Sequence, residues 1–142
     1  ITLTLNPGIY NLNKLELRTN SKFLFSGKTI INIKEELKIN EKVLVAPNAN
    51  LSPMDLEVNY VGNKPITIGE DSFISTKILA PKSKINLGEE ITLRGQILAR
   101  EIKIGEDSIL SRELTGVKTA RPEEITIDPE GGVYPINIIL FL

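Results

Sequence analysis

The chain has 142 residues, with 17 basic and 18 acidic side chains and a net charge of −1. That length suits a single core, and the charge balance argues against nucleic-acid binding and polybasic membrane attachment, which both need basic excess. With no Cys, His or Trp and only 5% aromatic residues, several chemistries drop out: disulfides, thiolate nucleophiles, Ser-His-Asp catalysis, Cys or His metal sites, and broad stacking platforms.

What remains for catalysis is carboxylates, lysines and hydroxyls. No motif arranges them, so the expectation is a protein that is not an enzyme. No catalytic or cofactor-binding residue is assigned.

From the N-terminus, Ile1-Thr2-Leu3-Thr4-Leu5 alternates like a strand and carries no basic region of a signal peptide. The chain lacks an initiator Met and reads as a mature or truncated segment. Asn6-Pro7-Gly8 is a turn signal followed by Ile9-Tyr10. Residues 1–14 are therefore expected to form an N-terminal strand or cap. Residues 15–110 read as the main body, within which 15–51 resemble two degenerate coils.

Apolar-polar-apolar triplets run throughout: Leu15-Glu16-Leu17, Leu37-Lys38-Ile39, Ile66-Thr67-Ile68, Ile91-Thr92-Leu93 and Ile102-Lys103-Ile104, with the wholly apolar Phe23-Leu24-Phe25 read as a strand beside them. Period two is the mark of a half-buried strand, and the frequent Ile favours it through its branched Cβ. Residues 33–37 could pass for a helical turn, but strand is preferred there too. Residues 56–61 form a strand between two Pro- and Gly-bearing turns. Residues 111–142 are expected to hold a long polar loop, the strand Ile125-Thr126-Ile127, a turn and a last apolar strand. No apolar run approaches the roughly 20 residues that span a bilayer, so no membrane span is expected.

An internal repeat points to the architecture. Ile66-Thr67-Ile68-Gly69-Glu70 recurs as Ile85-Asn86-Leu87-Gly88-Glu89 and as Ile102-Lys103-Ile104-Gly105-Glu106, at spacings of 19 and 17 residues. Ile78-Leu79-Ala80 recurs as Ile97-Leu98-Ala99, and Val45-Ala46-Pro47 parallels Leu79-Ala80-Pro81 at an offset of 34, or two coils. A unit this short buries its apolar face only by stacking on a neighbour. The predicted fold is all-β: a single-domain β-solenoid, or parallel β-helix, of triangular coils of about 17–19 residues with a C-terminal strand extension.

The alignment predicts which side chains point inward. These are Ile66, Ile68, Ile74, Ile78 and Ala80 in one coil, and Ile85, Leu87, Ile91, Leu93, Ile97 and Ala99 in the next. Thr67, Asn86, Thr92 and Lys103 should point out. The Gly after each triplet is expected to supply a positive φ.

Gly69-Glu70-Asp71-Ser72 returns as Gly105-Glu106-Asp107-Ser108. If those corners stack, Glu70, Asp71, Glu106 and Asp107 offer hard oxygen ligands for Ca²⁺. The plainer reading is a solvated turn whose Asp and Ser bond their own backbone. Glu89-Glu90 and Glu123-Glu124 read as surface charge rather than a glycosidase pair, and the sequon Asn50-Leu51-Ser52 as a chance match. No metal or other cofactor is expected.

Five elements carry a resemblance to known proteins: Pro7-Gly8-Ile9-Tyr10, Ala46-Pro47-Asn48-Ala49, Ile66-Thr67-Ile68-Gly69, Leu79-Ala80-Pro81 and Gly95-Gln96-Ile97-Leu98-Ala99. The stretch 66–110 resembles bactofilins, and residues 6–110 resemble exported bacterial β-helix domains attached to pilin-like or other surface proteins. The resemblance implies a structural role, an extracellular or cell-surface location, and no catalytic residues.

A solenoid leaves unpaired backbone at both ends. The expected partner is the chain itself, in a filament or surface assembly. The candidate assembly residues are Leu3 and Leu5 at the start and Ile136, Ile138, Leu140 and Leu142 at the apolar end. That end would either fold back on its own coils or be donated to a neighbour. The alternative reading is an adhesin-like module whose flat face binds carbohydrate or another surface; a polysaccharide-active enzyme ranks behind both. The Lys, Glu and Ile usage resembles that of thermophiles, although an AT-rich genome has the same effect.

Overall fold

Short alternating strands separated by tight turns have one apolar side each, and stacking them in parallel hides that side from water. The computed structural model describes residues 1–48, 50–111, 124–126, 132–134 and 138–141, with side chains described as far as residue 110. In chain order the strands are β1 (Thr2–Leu5), β2 (Gly8–Leu17), β3 (Lys22–Phe25), β4 (Thr29–Ile39), β5 (Leu44–Pro47), β6 (Leu56–Tyr60), β7 (Ile66–Ile68), β8 (Phe73–Leu87), β9 (Thr92–Ile104), β10 (Ile109–Ser111), β11 (Glu124–Thr126), β12 (Gly132–Tyr134) and β13 (Ile138–Phe141). Among the described residues the one helical element is a single 3₁₀ turn, Pro53–Asp55.

The strands stack in parallel as a β-solenoid. Its first face runs β1–β3–β5–β8–β9–β10, with Leu3, Phe23, Val45, Ile74, Leu93 and Leu110 in register. The second stacks the first half of β2 on β4, β6, β8 and β9, aligning Tyr10, Ile31, Val58, Ile78 and Ile97. The third aligns Leu17, Ile39, Ile68 and Leu87. By running round corners, β2 and β4 each contribute to two faces and β8 and β9 to all three. The coils therefore span residues 2–17, 22–39, 44–68, 73–87 and 92–104, and β10 begins a further one.

The inward set is as predicted. Ile66, Ile68, Ile74, Ala80, Ile85, Ile91, Leu93, Ile97, Ala99 and Ile102 are fully buried, and Ile78 and Leu87 nearly so. Thr67 and Lys103 are exposed, and Asn86 and Thr92 are half-buried on the outer side. Residues 33–37 lie within β4 as strand. Coil spacing is 19 residues from Phe73 to Thr92 and 17 from Thr92 to Ile109.

Three expectations are corrected. The offset of 34 does not describe the stacking, because Val45 lies over Ile74 on the first face while Leu79 belongs to the second, paired with Asn59. The third coil is longer than its neighbours and breaks the 17-residue period; it carries the 3₁₀ turn between β5 and β6. The boundary drawn at residue 14 falls inside the first coil, since β2 continues to Leu17.

A fourth correction concerns Gly69, Gly88 and Gly105. None has a positive φ; the left-handed residues are Asp71, Glu90 and Asp107, two positions later. Glycine is needed because backbones of successive coils crowd together here. A Cβ on Gly88 would lie 2.9 Å from the Glu70 nitrogen. Gly88 N donates to Ile68 O at 2.8 Å, and Gly105 N donates to Leu87 O at 3.0 Å. Gly95 combines both demands: its φ is +125°, and an added Cβ would strike Thr76 O.

Candidate functional site

Two features stand out beyond the core: a charged corner and the ends of the solenoid. The corner joins the third face to the first. At each level one residue takes the left-handed conformation, namely Asn20, Lys42, Asp71, Glu90 and Asp107, with φ between 53° and 63°. Its N–H donates to a carbonyl of the next coil: Lys42 to Glu70, Asp71 to Glu89, and Glu90 to Glu106. These contacts stack the corners into a column.

The column places Glu41, Glu70, Asp71, Glu89, Glu90, Glu106 and Asp107 along one edge, with Lys42 as the cation among them. Glu70-Asp71 and Glu106-Asp107 occupy equivalent corners, separated by the level of Glu89-Glu90. The Asp71 carboxylate, as acceptor for a protonated Glu90 and as like charge, pushes the Glu90 carboxyl above its usual pKa of 4.5, with slight burial and the charges of Asp107 and Glu89 adding to it. Among the described residues no three acidic side chains converge in metal-ligating geometry. Glu123 lies outside the described residues, as does the side chain of Glu124.

The serines of the repeated motif have a separate role. Ser72 Oγ accepts from Val43 N at 3.1 Å and donates to Asn40 O at 3.2 Å. Ser108 Oγ accepts from Ile91 N at 3.3 Å. Both serines are buried, so they satisfy backbone groups at the corner, as buried polar atoms must. Ser52 of the sequon caps the 3₁₀ turn by accepting from Met54 N at 3.1 Å.

An outward asparagine ladder was not read from the repeat. Asn59 Nδ2 donates to Asn32 Oδ1 at 3.0 Å, and Asn32 Nδ2 donates to Asn11 Oδ1 at 2.9 Å. The signal was present as Asn before an inward apolar residue (Leu12, Ile33, Tyr60), but the spacings are unequal because the third coil is longer. Cross-coil ion pairs were equally hidden: Lys14–Glu36 at 3.5 Å, Lys77–Glu57 at 3.1 Å and Lys84–Glu101 at 3.4 Å.

The structure places the candidate assembly residues at opposite ends. Leu3 and Leu5 lie on β1, the outermost strand of the first face. Ile138 and Leu140 lie on β13, antiparallel to β9 of the same chain, opposite Ala99 and Ile97. Strand β12 pairs antiparallel with β9 at residues 102–104, and β11 with β10. All three faces at the C-terminal end are thus met by the chain's own antiparallel strands. Ile136 and Leu142 lie outside the described residues.

The N-terminal end differs. Among the described residues no strand pairs with the outer edge of β1 or β2. Leu3 is 49% exposed, and Leu5, Tyr10, Leu12 and Leu15 are half-buried, whereas Phe23, Phe25, Ile31, Ile33 and Leu37 beneath them are buried. Compared with family models, curated proteins and solved structures, the chain finds no match.

Proposed function

We propose that this chain is a non-enzymatic structural protein, a β-solenoid subunit that associates with copies of itself in an exported or cell-surface assembly. One observation supports the reading: among the described residues no strand pairs with the outer edge of β1 or β2, and Leu3 is 49% exposed above the buried Phe23. Open strand edges over an apolar cross-section recruit further strands. Strands β12 and β13 lie on the β9 edge, so a contact at the C-terminal end is made through those strands or requires their displacement. The surface location rests on the resemblance of residues 6–110 to exported β-helix domains.

Sedimentation velocity across a concentration series, with negative-stain electron microscopy, tests the reading. Concentration-dependent association is expected. A discrete monomer at every concentration would discard it in favour of a monomeric binding module.

A further inference from the structure

Resting on that self-association reading, we propose that the third face is the contact surface, laid against the third face of a second copy by a two-fold axis parallel to the solenoid axis. The contact is lateral and uses neither end of the solenoid. Three observations lead to it.

First, the two corners that bound the third face carry opposite charge. The corner from the second face to the third places Lys34, Lys64, Lys82 and Arg100 at successive levels, all exposed. Its levels stack: Tyr60 Oη donates to Glu35 O at 2.9 Å, Ser83 Oγ donates to Lys64 O at 2.7 Å, and Ala80 aligns with Ala99. The corner from the third face to the first answers with Glu41, Glu70, Glu89 and Glu106, also exposed. Each coil from the second to the fifth thus runs from a cation to an acid across its third-face strand. Glu35 and Lys42 are the opposite charges beside these columns. Among the described residues, none of the side chains in the two columns makes an ion pair within the chain.

Second, charge complementarity selects the orientation. Two copies share the same rise per coil, about 4.7–4.9 Å, so the columns keep step over several levels. A two-fold parallel to the solenoid axis sets the basic edge of each copy on the acidic edge of the other, twice per pair. A two-fold perpendicular to that axis would set basic on basic and acid on acid, which like-charge repulsion disfavours.

Third, the face between the edges repeats the complementarity. Glu36 and Lys38 lie outward on β4, and Glu101 and Lys103 on β9. In each pair the acid is nearer the basic edge and the lysine nearer the acidic edge. The same two-fold therefore sets Glu36 opposite the second copy's Lys38, and Glu101 opposite the second copy's Lys103. Among the described residues none of the exposed large apolar side chains lies on a third-face strand. The contact is therefore electrostatic, and the assembly so formed is a closed dimer.

Salt and charge reversal test it together. Raising salt from about 0.1 M to about 1 M shortens the screening length from about 10 Å to about 3 Å. Wild type should sediment at twice the monomer mass in low salt and at the monomer mass in high salt. The triple variant Lys34→Glu, Lys64→Glu, Lys82→Glu has two acidic edges, and the triple variant Glu41→Lys, Glu70→Lys, Glu89→Lys has two basic ones. Each alone should be monomeric in low salt with a wild-type circular dichroism spectrum, and an equimolar mixture should sediment as a dimer. Wild-type association that high salt leaves unchanged overturns the third-face contact while self-association stands. So do folded variants that associate alone, or a mixture of folded variants that stays monomeric. Salt-sensitive species larger than a dimer overturn the closed two-fold arrangement. If either variant fails to fold, the wild-type salt series decides. If wild type is monomeric at every concentration and in both salts, the contact and the self-association reading are both overturned.

Discussion

Glu90 stands one coil beyond Asp71 at the same left-handed corner, and the Asp71 N–H donates to the carbonyl of Glu89 at 3.1 Å, which holds the two levels together. The Asp71 carboxylate beside it, as acceptor and as like charge, favours the protonated form of Glu90 and pushes its carboxyl above 4.5.

The sign of the pH effect follows. A carboxyl whose folded pKa is raised contributes most below the unfolded pKa, and that contribution is lost as pH rises through the folded value. Glu90→Gln should therefore melt at a higher temperature than wild type at pH 7, with the difference vanishing below pH 4.5. Thermal melts at the two pH values check this; a variant less stable at pH 7 would contradict the repulsion.

Gly88 touches the backbone of the coil before it, where an added Cβ would lie 2.9 Å from the Glu70 nitrogen. Neither backbone segment can yield alone, because each is hydrogen-bonded within the column. Gly88→Ala should destabilise the protein by about 1–3 kcal/mol, the usual range for overpacking. A urea titration measures it, and an unchanged midpoint would mean that the coils separate without strain.

Leu87 is 4% exposed at the end of β8, stacked on Ile68. Leu87→Lys would bury an unpaired charge between coils and should cost on the order of 3–5 kcal/mol, enough to unfold a marginal domain. Thr92→Lys, on the outer side of the first face, should stay within about 0.5 kcal/mol of wild type. Equal tolerance in circular dichroism melts would refute the inward and outward assignment.

Removing residues 132–142 would take away β12 and β13 and free the β9 edge from Gln96 to Ile104. With that edge freed, association should proceed to larger species than wild type forms, seen as a broad, fast-sedimenting boundary. A truncated protein that associates no further than wild type would show that the tail does not limit growth. One that unfolds would show that the tail is part of the core.

The sequence by itself determined the repeat, the strand type and the side of each strand that faces inward. All three follow from local alternation, and a strand shows its inner face every second residue. Hence Ile66, Ile85 and Ile102 were legible as one buried column. The candidate assembly residues were legible only as exposed apolar stretches. Which levels stack was legible where the coils keep a period of 17–19 residues, but not across the longer third coil. There Val45 meets Ile74, although its motif resembles the one at Leu79. Only the tertiary structure decided that Gly88 answers to crowding rather than to a positive φ, and that Asn11, Asn32 and Asn59 form one ladder. It alone set Leu3 over Phe23 on the first face and Ile138 opposite Ala99 on β9. Those relationships join residues about 20 or more positions apart, and their spacing depends on how long each intervening turn happens to be.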